Sequence, residues 1–575
     1  MVCNRHTGKS PTNYCYQCFK EEITRFVIVK VDDPRHVRDA LSRRIAYYLD
    51  HKLYVATDGF KNSIVIFVQT LEPRLFAQAI QIRIINLAVM VAPAKNEPIN
   101  IVGAGVFGLS TALHLAERGY TNVTVFDKQP YDTTLYSYFK GCDAASADIN
   151  KIIRSAYGSQ TEYQELTFEA IKEWTKWNEE LASGTDLPPG MSTSDRVFHN
   201  CGNLSMTDGD VLPPFELATI KTMEACGHKD TQLVTNHARH ATIAKERGQA
   251  GCLDPFHRKK RGKPNIGVLD STGGVAIADK ACRLALHKAR RQGARFILDP
   301  DSGAFSSFMT SASGKVTGII TKDRKAHPAV LTVMACGGWT GSLLPQLDHL
   351  CEATAGSVII YKIPQTSQLW DRTSPESFPT WMWKMRDGAE GGLYGFPRTE
   401  DGYFKIGYRG TKYTNPRKQA DGVERSVPVT RWSEGDKLKQ IPAQAMKVLK
   451  DFTEEYLPEL GDEGIDIALT RVCWYNDSYD NHLIIDYAPE QDGLFVATAG
   501  SGHAFKYLPI MGKWVVDIIE GVGMDRPAVK AWKWRSMGNE TPFNVLMEGG
   551  ESIRALQNTR LTSDADLKLR RRAKL

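Results

Sequence analysis

Gly103, Gly105 and Gly108 stand in the run Gly103-Ala104-Gly105-Val106-Phe107-Gly108, directly behind the apolar stretch Ile99-Asn100-Ile101-Val102. An amphipathic segment over 109–118 follows and closes on Gly119. A second apolar stretch, Val123-Thr124-Val125-Phe126, ends on Asp127. Strand, glycine turn, helix, strand and acid together make the βαβ dinucleotide-binding pattern. The first glycine permits the tight turn, the second lets the backbone approach a pyrophosphate, and the third lets the helix pack closely on the strand. The pyrophosphate is expected at the helix N-terminus, where unpaired N–H groups and the dipole favour an anion. Asp127 is expected to accept hydrogen bonds from a ribose. The same glycines could make a plain tight turn, but the flanking strands and the acid weigh against that.

The elements that must hold this turn are regular from Pro98 onward. Residues 140–158 read as loop and turn. A helix is predicted over 163–181, with Leu166, Ile171, Trp174 and Trp177 near helical spacing. Residues 185–265, rich in Pro, Gly, His and charge, read as part of a second domain. Gly267-Val268-Leu269-Asp270 precedes Thr272-Gly273-Gly274-Val275 and a helix over 277–292. A strand over 330–334 runs into Ala335-Cys336-Gly337-Gly338-Trp339-Thr340-Gly341, a second small-residue turn. Residues 362–415 alternate aromatic and polar positions, as antiparallel strands do. A last buried strand over 494–498 ends in Ala499-Gly500-Ser501-Gly502. The expected fold class is α/β. A Rossmann-type domain with βαβ units and a parallel sheet is gathered from 98–195, 264–350 and 465–525. It is interleaved with a mixed-sheet substrate-binding domain over 196–263 and 351–464. A tail covers 526–575, and 563–575 is expected to be disordered.

Bulk properties exclude several classes. With 575 residues the chain has room for about three or four domains. Hydrophobic residues at 42% and charged residues at 24% give an ordinary soluble globular composition. The net charge of +6 sits partly in the last six residues, so no nucleic-acid surface is implied. No apolar run reaches ~18 residues, so no membrane span is expected. The nearest candidate, 84–92, is too short and follows Arg83. The 11 cysteines are irregularly spaced, which favours a reducing compartment over a disulfide framework. Residues 1–89 do not fit the rest: 26–31 and 63–68 are strand-like, and Cys3, His6, Cys15 and Cys18 have a spacing that could hold one zinc ion. Alternatively this is an upstream extension, with Met90 opening a short leader into the first strand. No metal is expected in the catalytic site.

Separated motifs then converge on one family. They are the glycine run at 103–108, Asn150-Lys151-Ile152-Ile153-Arg154-Ser155-Ala156-Tyr157-Gly158, and Leu393-Tyr394-Gly395-Phe396-Pro397. Further on come Phe404-Lys405-Ile406-Gly407-Tyr408, Cys473-Trp474-Tyr475 with His482-Leu483-Ile484-Ile485-Asp486, and Ser501-Gly502-His503-Ala504-Phe505-Lys506. Over about residues 98–525 the chain resembles the monomeric sarcosine oxidase family of flavin amine oxidases. Within that family it is similar to the fungal branch of saccharopine and pipecolate oxidases and fructosyl-amino-acid oxidases (amadoriases). The resemblance implies a GR2-type FAD-binding domain, oxidation of a secondary amino acid to an imine, and reduction of O2 to hydrogen peroxide. It implies a small-molecule partner and a monomer.

The resemblance also distributes roles. Cys473 matches the cysteine joined to the flavin by a thioether; a thiolate is a good nucleophile, and a tethered flavin is a stronger oxidant. A buried structural cysteine is the alternative. Lys405 matches the lysine near the flavin that activates oxygen, where a fixed cation stabilises developing superoxide; a solvated strand lysine is the alternative. Arg154 and Lys506 match the two cations that hold the substrate carboxylate, and Tyr394 lines the pocket. Holding the carboxylate orients the amine-bearing carbon. His503 is expected to line the flavin loop rather than act as a base. Candidate cofactor-binding residues are Gly103, Gly105, Val106, Gly108, Asp127, Lys128, Lys151, Gly338, Trp339, Cys473, Gly502, His503 and Lys506.

Two departures bear on substrate. Arg409 stands where sarcosine-type members carry a histidine, and Lys151 where they carry an arginine. An added cation at 409 suggests a substrate with more than one carboxylate, such as saccharopine; a solvent-facing Arg409 is the alternative. The run Gly141-Cys142-Asp143-Ala144-Ala145-Ser146-Ala147-Asp148 and the stretch 409–416 resemble the saccharopine oxidase branch more than the amadoriases. An NAD-dependent dehydrogenase would share the βαβ unit without needing Cys473. An imino-acid oxidase of a secondary pathway would use the same residues. The ending Ala573-Lys574-Leu575 is a variant of the peroxisomal address, so an import receptor is an expected partner and the peroxisome the expected location, with the cytoplasm as the alternative.

Overall fold

The computed structural model describes residues 92–539 and 541–571, together with the backbone of three strands nearer the N-terminus. The chain divides into two units, Met1–Ala92 and Pro93–Leu575. In the first, Ser63–Val68 pairs antiparallel with both Phe26–Lys30 and Leu53–Thr57. The candidate zinc ligands Cys3, His6, Cys15 and Cys18 lie outside the described residues.

The second unit is built on two sheets. The first has six strands in the order Arg295–Leu298, Val123–Asp127, Ile99–Val102, Leu331–Met334, Leu494–Thr498 and Ile484–Tyr487. All neighbours pair parallel except the last two. Ile99–Val102, Leu331–Met334 and Leu494–Thr498 are buried at every position. Burial on both faces is why these strands are apolar at most positions on either face, with Asn100, Thr332 and Thr498 as buried polar exceptions. Val106–Glu117 packs against Ala278–Arg291 and Met511–Ile519 over one face. The antiparallel trio Phe305–Thr310, Val316–Thr321 and Ala326–Pro328 covers the other, with Val316 and Ile319 against Val102, Met334 and Val496.

The second sheet has eight strands: Ile467–Ser478, Cys351–Lys362, Tyr403–Tyr413, Leu393–Gly395, Thr380–Trp383, Asn203–Thr207, Ile266–Asp270 and Gln232–Val234. It is mixed, because Thr380–Trp383 pairs parallel with Asn203–Thr207. One face packs on the helix Ala443–Tyr456 through Phe404, Ile406, Tyr408, Val472 and Trp474.

Three sequence expectations change. Ile266–Asp270 and Ile467–Ser478 join the eight-stranded sheet, whereas 264–350 and 465–525 were expected wholly in the dinucleotide-binding part. An apolar run reveals a strand but not which sheet it enters. Residues 140–158 are not all loop: Asn150–Ile153 forms a strand paired with Gly274–Ile277. The described part of 563–575 is ordered. Ser563 and Asp566 make a reciprocal cap on the turn Asp564–Leu567, and Leu569 is buried.

Candidate active site

The glycine turn is shaped as its spacing requires. Gly103 has φ +104, and a Cβ there would collide with the Ala335 carbonyl. A Cβ on Gly108 would run into the Gly103 carbonyl, so this residue lies under the turn and sets how closely the helix sits on the strand. Asp127 clamps the turn: its Oδ2 accepts the Ala104 N–H at 2.7 Å and its Oδ1 the Gln129 N–H at 2.8 Å. Burial raises its carboxyl above the ordinary range, opposed by these two N–H groups. The Val106 N–H is donated to Ser146 Oγ at 3.0 Å.

A cavity of about 320 Å³ starts at this turn. Gly103, Gly105, Val106, Asp127, Lys128 and Trp339 line it, with the Lys128 ammonium 4.4 Å from the Trp339 ring centroid. Gly338, Lys151, Gly502 and His503 also line it. Cys473 and Lys506 are buried beside it, adjacent in sequence to the lining residues Trp474 and Phe505.

Period-two alternation of the eight-stranded sheet assembles the chemistry. Arg471, Cys473, Tyr475 and Asp477 alternate along Ile467–Ser478. Lys405 and Gly407 alternate along Tyr403–Tyr413, across Cys351–Lys362, and Tyr394 pairs with Gly407. The Tyr394 ring occupies the space a Cβ at 407 would need, and its hydroxyl meets the Tyr475 hydroxyl at 2.8 Å. Desolvation pushes both phenols above the ordinary tyrosine range.

Lys405, only 2% exposed, donates to the Asn150 carbonyl at 2.9 Å and to Asp148 Oδ2 at 3.0 Å. Its Nζ is 4.2 Å from the Phe396 ring centroid. Lys151 reaches the same Oδ2 at 2.7 Å, and Arg471 reaches Asp148 Oδ1 at 3.1 Å. Burial alone would raise the Asp148 carboxyl, but these cations hold it far below the carboxylate range. Lys405 is lowered to about 8, by burial first, with Asp148 pulling the other way. Asp148 and Arg471 were not singled out from sequence. Arg471 stands two residues before Cys473, so strand alternation was the available signal.

The second cluster surrounds Arg154. The buried Lys506 donates to Tyr157 Oη at 2.8 Å and to the Arg154 carbonyl at 3.1 Å. The Arg154 guanidinium lies 4.6 Å from the Tyr157 ring centroid and donates to the Ala156 carbonyl. Asp270 anchors the next residue, accepting the Ser155 N–H at 2.6 Å. Among the described residues no carboxylate ion-pairs with Arg154 or Lys506. Burial, then the charge of Arg154, lowers the Lys506 ammonium well below the ordinary lysine value. His503 Nε2 faces the Asn481 carbonyl at 3.0 Å, which puts its proton there and leaves Nδ1 to accept from Tyr157 Oη at 2.9 Å. Burial, then Lys506, lowers this imidazole to about 3, so His503 is neutral and is not a base at neutral pH.

Arg409 corrects an expectation. It is not a free cation: its Nη2 pairs with Asp477 Oδ2 at 2.9 Å, and Asp477 is fully buried and also held by Lys412 at 3.2 Å. Despite burial, Arg409 and Lys412 keep the Asp477 carboxyl below its usual range. The Arg409 guanidinium stacks 3.8 Å from the Tyr475 ring centroid and fills the space beside Gly502. Arg409→Ala therefore removes the main partner of a buried carboxylate and should cost on the order of 3 kcal/mol of stability. A denaturant melt of the purified protein reads this directly.

A dinucleotide-binding α/β sheet joined to a mixed sheet that presents cysteine and cations on one face defines a flavin-dependent oxidoreductase. The chain belongs to the FAD dependent oxidoreductase (DAO) family, whose model matches residues 99–518. It is 27% identical over 451 residues to L-saccharopine oxidase of Schizosaccharomyces pombe, covering 76% of this chain and 93% of that one. It is 24% identical to peroxisomal sarcosine oxidase of Homo sapiens, covering 73% and 90%. The structure also resembles the deglycating enzyme fructosamine oxidase (Amadoriase II) of Aspergillus fumigatus, with TM-score 0.59 and 26% identity over 77% of this chain and 91% of that one.

The residues present fit FAD. Gly105, at the start of the helix Val106–Glu117, lines the cavity without a side chain, as a close pyrophosphate approach needs, while Gly103 and Gly108 leave no room for a Cβ within the turn and so fix its shape. Beyond it the cavity runs to Lys151 and His503 at the cation-bearing end.

Proposed function

We propose that this chain is an FAD-dependent oxidase of a secondary amino acid, with L-saccharopine as the best-fitting substrate. Bound FAD supplies the two-electron chemistry, accepting electrons from the C–N bond and passing them to O2, which becomes hydrogen peroxide. The substrate loses two electrons and two protons to become an imine, which water hydrolyses. The observation that carries this reading is the pairing of a half-buried Arg154 with a buried Lys506, neither of which makes an ion pair with a carboxylate among the described residues. They grip the substrate carboxylate and so orient the carbon next to the amine. A carboxylate bound against Lys506 raises its lowered proton affinity and favours the charged form. Lys405 provides the fixed positive charge for oxygen reduction.

Support for a substrate with several carboxylates comes from Arg386 instead of Arg409. Its guanidinium lies 3.5 Å over the Phe215 ring, which fills the space beside Gly158 in the Arg154 motif. The Arg386 side chain is 54% exposed, lies 3.8 Å from Glu216 and feels the like charge of Arg154. Arg386→Ala should reduce kcat/KM for saccharopine about tenfold or more while changing pipecolate turnover less than about threefold. Equal losses on both would remove this support. A fructosyl-amino-acid oxidase is the second reading, favoured by the likeness to Amadoriase II. Peroxide-coupled assays on saccharopine, pipecolate, fructosyl-lysine, sarcosine and proline decide between them.

The buried thiol of Cys473 is the proposed covalent tether. Wild-type protein precipitated with acid should stay yellow, whereas Cys473→Ser should release its flavin to the supernatant. Pigment released fully from the wild type would end the tether proposal and leave the oxidase reading standing. A peroxide product also favours a catalase-containing compartment, and peroxisomal residence is proposed on that ground.

A further inference from the structure

Three cations converge on one carboxylate at the edge of the site. Asp148 is 3% exposed, and its Oδ2 is shared by Lys151 at 2.7 Å and Lys405 at 3.0 Å, while Oδ1 takes Arg471 at 3.1 Å and the Ile149 N–H at 2.8 Å. Two ammonium groups on one oxygen repel each other unless the anion stays between them. Among the described residues Lys405 has one other hydrogen-bonding partner, the Asn150 carbonyl, and its ammonium also lies over the Phe396 ring. A buried ammonium without a counter-ion neutralises itself by losing its proton.

We propose that Asp148 is the positioning residue for Lys405: its carboxylate pins this ammonium to the site face of the sheet and keeps its positive charge in place at neutral pH. The proposal rests on the role given to Lys405 above. The charged and titratable groups facing Lys405 are Asp148 and Lys151 from the Asn150–Ile153 strand and the turn before it, and Cys473 from Ile467–Ser478. Of these, Lys151 works against protonation. Asp148 is the nearest fixed anion and ranks first among the groups favouring it. Arg471 holds the other oxygen of Asp148 and anchors to the Ala144 and Ala147 carbonyls, so it fixes the carboxylate without competing for Oδ2.

The test uses purified holoenzyme and two measurements between about pH 5 and 10. One is the absorbance of the resting oxidised flavin without substrate; the other is the rate at which oxygen re-oxidises reduced enzyme. In the wild type both should change with a midpoint near the Lys405 value of about 8, and in Lys405→Met neither should. In Asp148→Asn both midpoints should fall by a unit or more, with the oxygen rate recovering to within about threefold of wild type at the acid end. Asp148→Glu should keep its midpoint within about half a unit. An unmoved midpoint in Asp148→Asn, or a rate lowered equally at every pH, overturns the proposal. If Asp148→Asn does not hold flavin, Asp148→Asn/Arg471→Met removes one buried charge of each sign and should show the same downward shift. Loss of flavin from that pair while Arg471→Met alone stays loaded would assign Asp148 to architecture only, and overturn the proposal. A Lys405→Met enzyme re-oxidised at the wild-type rate would instead remove the role of Lys405 itself.

Discussion

Lys405→Met should leave the anaerobic bleaching of the flavin by substrate within about threefold of wild type, while slowing re-oxidation by oxygen by about 10²–10³-fold. The ammonium it deletes is fixed in a dry site, where a preorganised charge acts far more strongly than in water. Methionine keeps the length and apolar stem of the side chain, so packing against Phe396 survives and Asp148 retains Lys151 and Arg471. Stopped-flow spectroscopy separates the two half-reactions. In the wild type the oxygen step should slow as pH rises through about 8, because the lysine is charged below that value and neutral above it. Loss of both half-reactions together in Lys405→Met would show that this lysine serves the amine side instead.

Arg154→Ala should lower kcat/KM for an acidic secondary amine by about 10²-fold, and Arg154→Ala/Lys506→Met by up to about 10⁴-fold. Each removes a charge-assisted hydrogen bond to the carboxylate, worth about 1.5–3 kcal/mol. KM should rise and kcat should also fall, because the same contact that binds the substrate aims its reacting carbon. Arg154→Lys should recover little, since a point charge does not reproduce the planar fork. The arginine contacts are local, to Ala156 and Tyr157, so the fold should be unaffected and a thermal melt of Arg154→Ala should match wild type.

The dinucleotide half was legible because most of its devices are local. Gly108 is demanded by the nearby Gly103 carbonyl, and the mostly apolar strands at 99–102, 331–334 and 494–498 report burial on both faces; the demand on Gly103 comes from the distant Ala335 carbonyl, so that glycine was legible only through its motif. The cation side was legible only in part. Lys405, Cys473, Arg154 and Lys506 were found through motifs, but the partners of Lys405 and Lys506 lie far away in sequence. Asp477, which neutralises Arg409, and Asp148, which gathers Lys405 and Arg471, meet them only when the sheet forms. A residue's sign of charge is written in the sequence; whether that charge is spent on a neighbour is decided by register. The strand at 150–153 was hidden for a related reason: its alternation is short and its pairing partner lies at 274–277.

The order of strands in the parallel sheet has a bearing on synthesis. Ile99–Val102 is flanked by Leu331–Met334, which leans in turn on Leu494–Thr498, so the middle of that sheet is completed by a segment that leaves the ribosome near the end of translation. Until then the nascent polypeptide carries unpaired apolar strand edges, and closure of such distant pairings is slow. Slow closure, and a need for chaperone help at high expression temperature, are the outcomes expected from this topology before any cofactor is loaded.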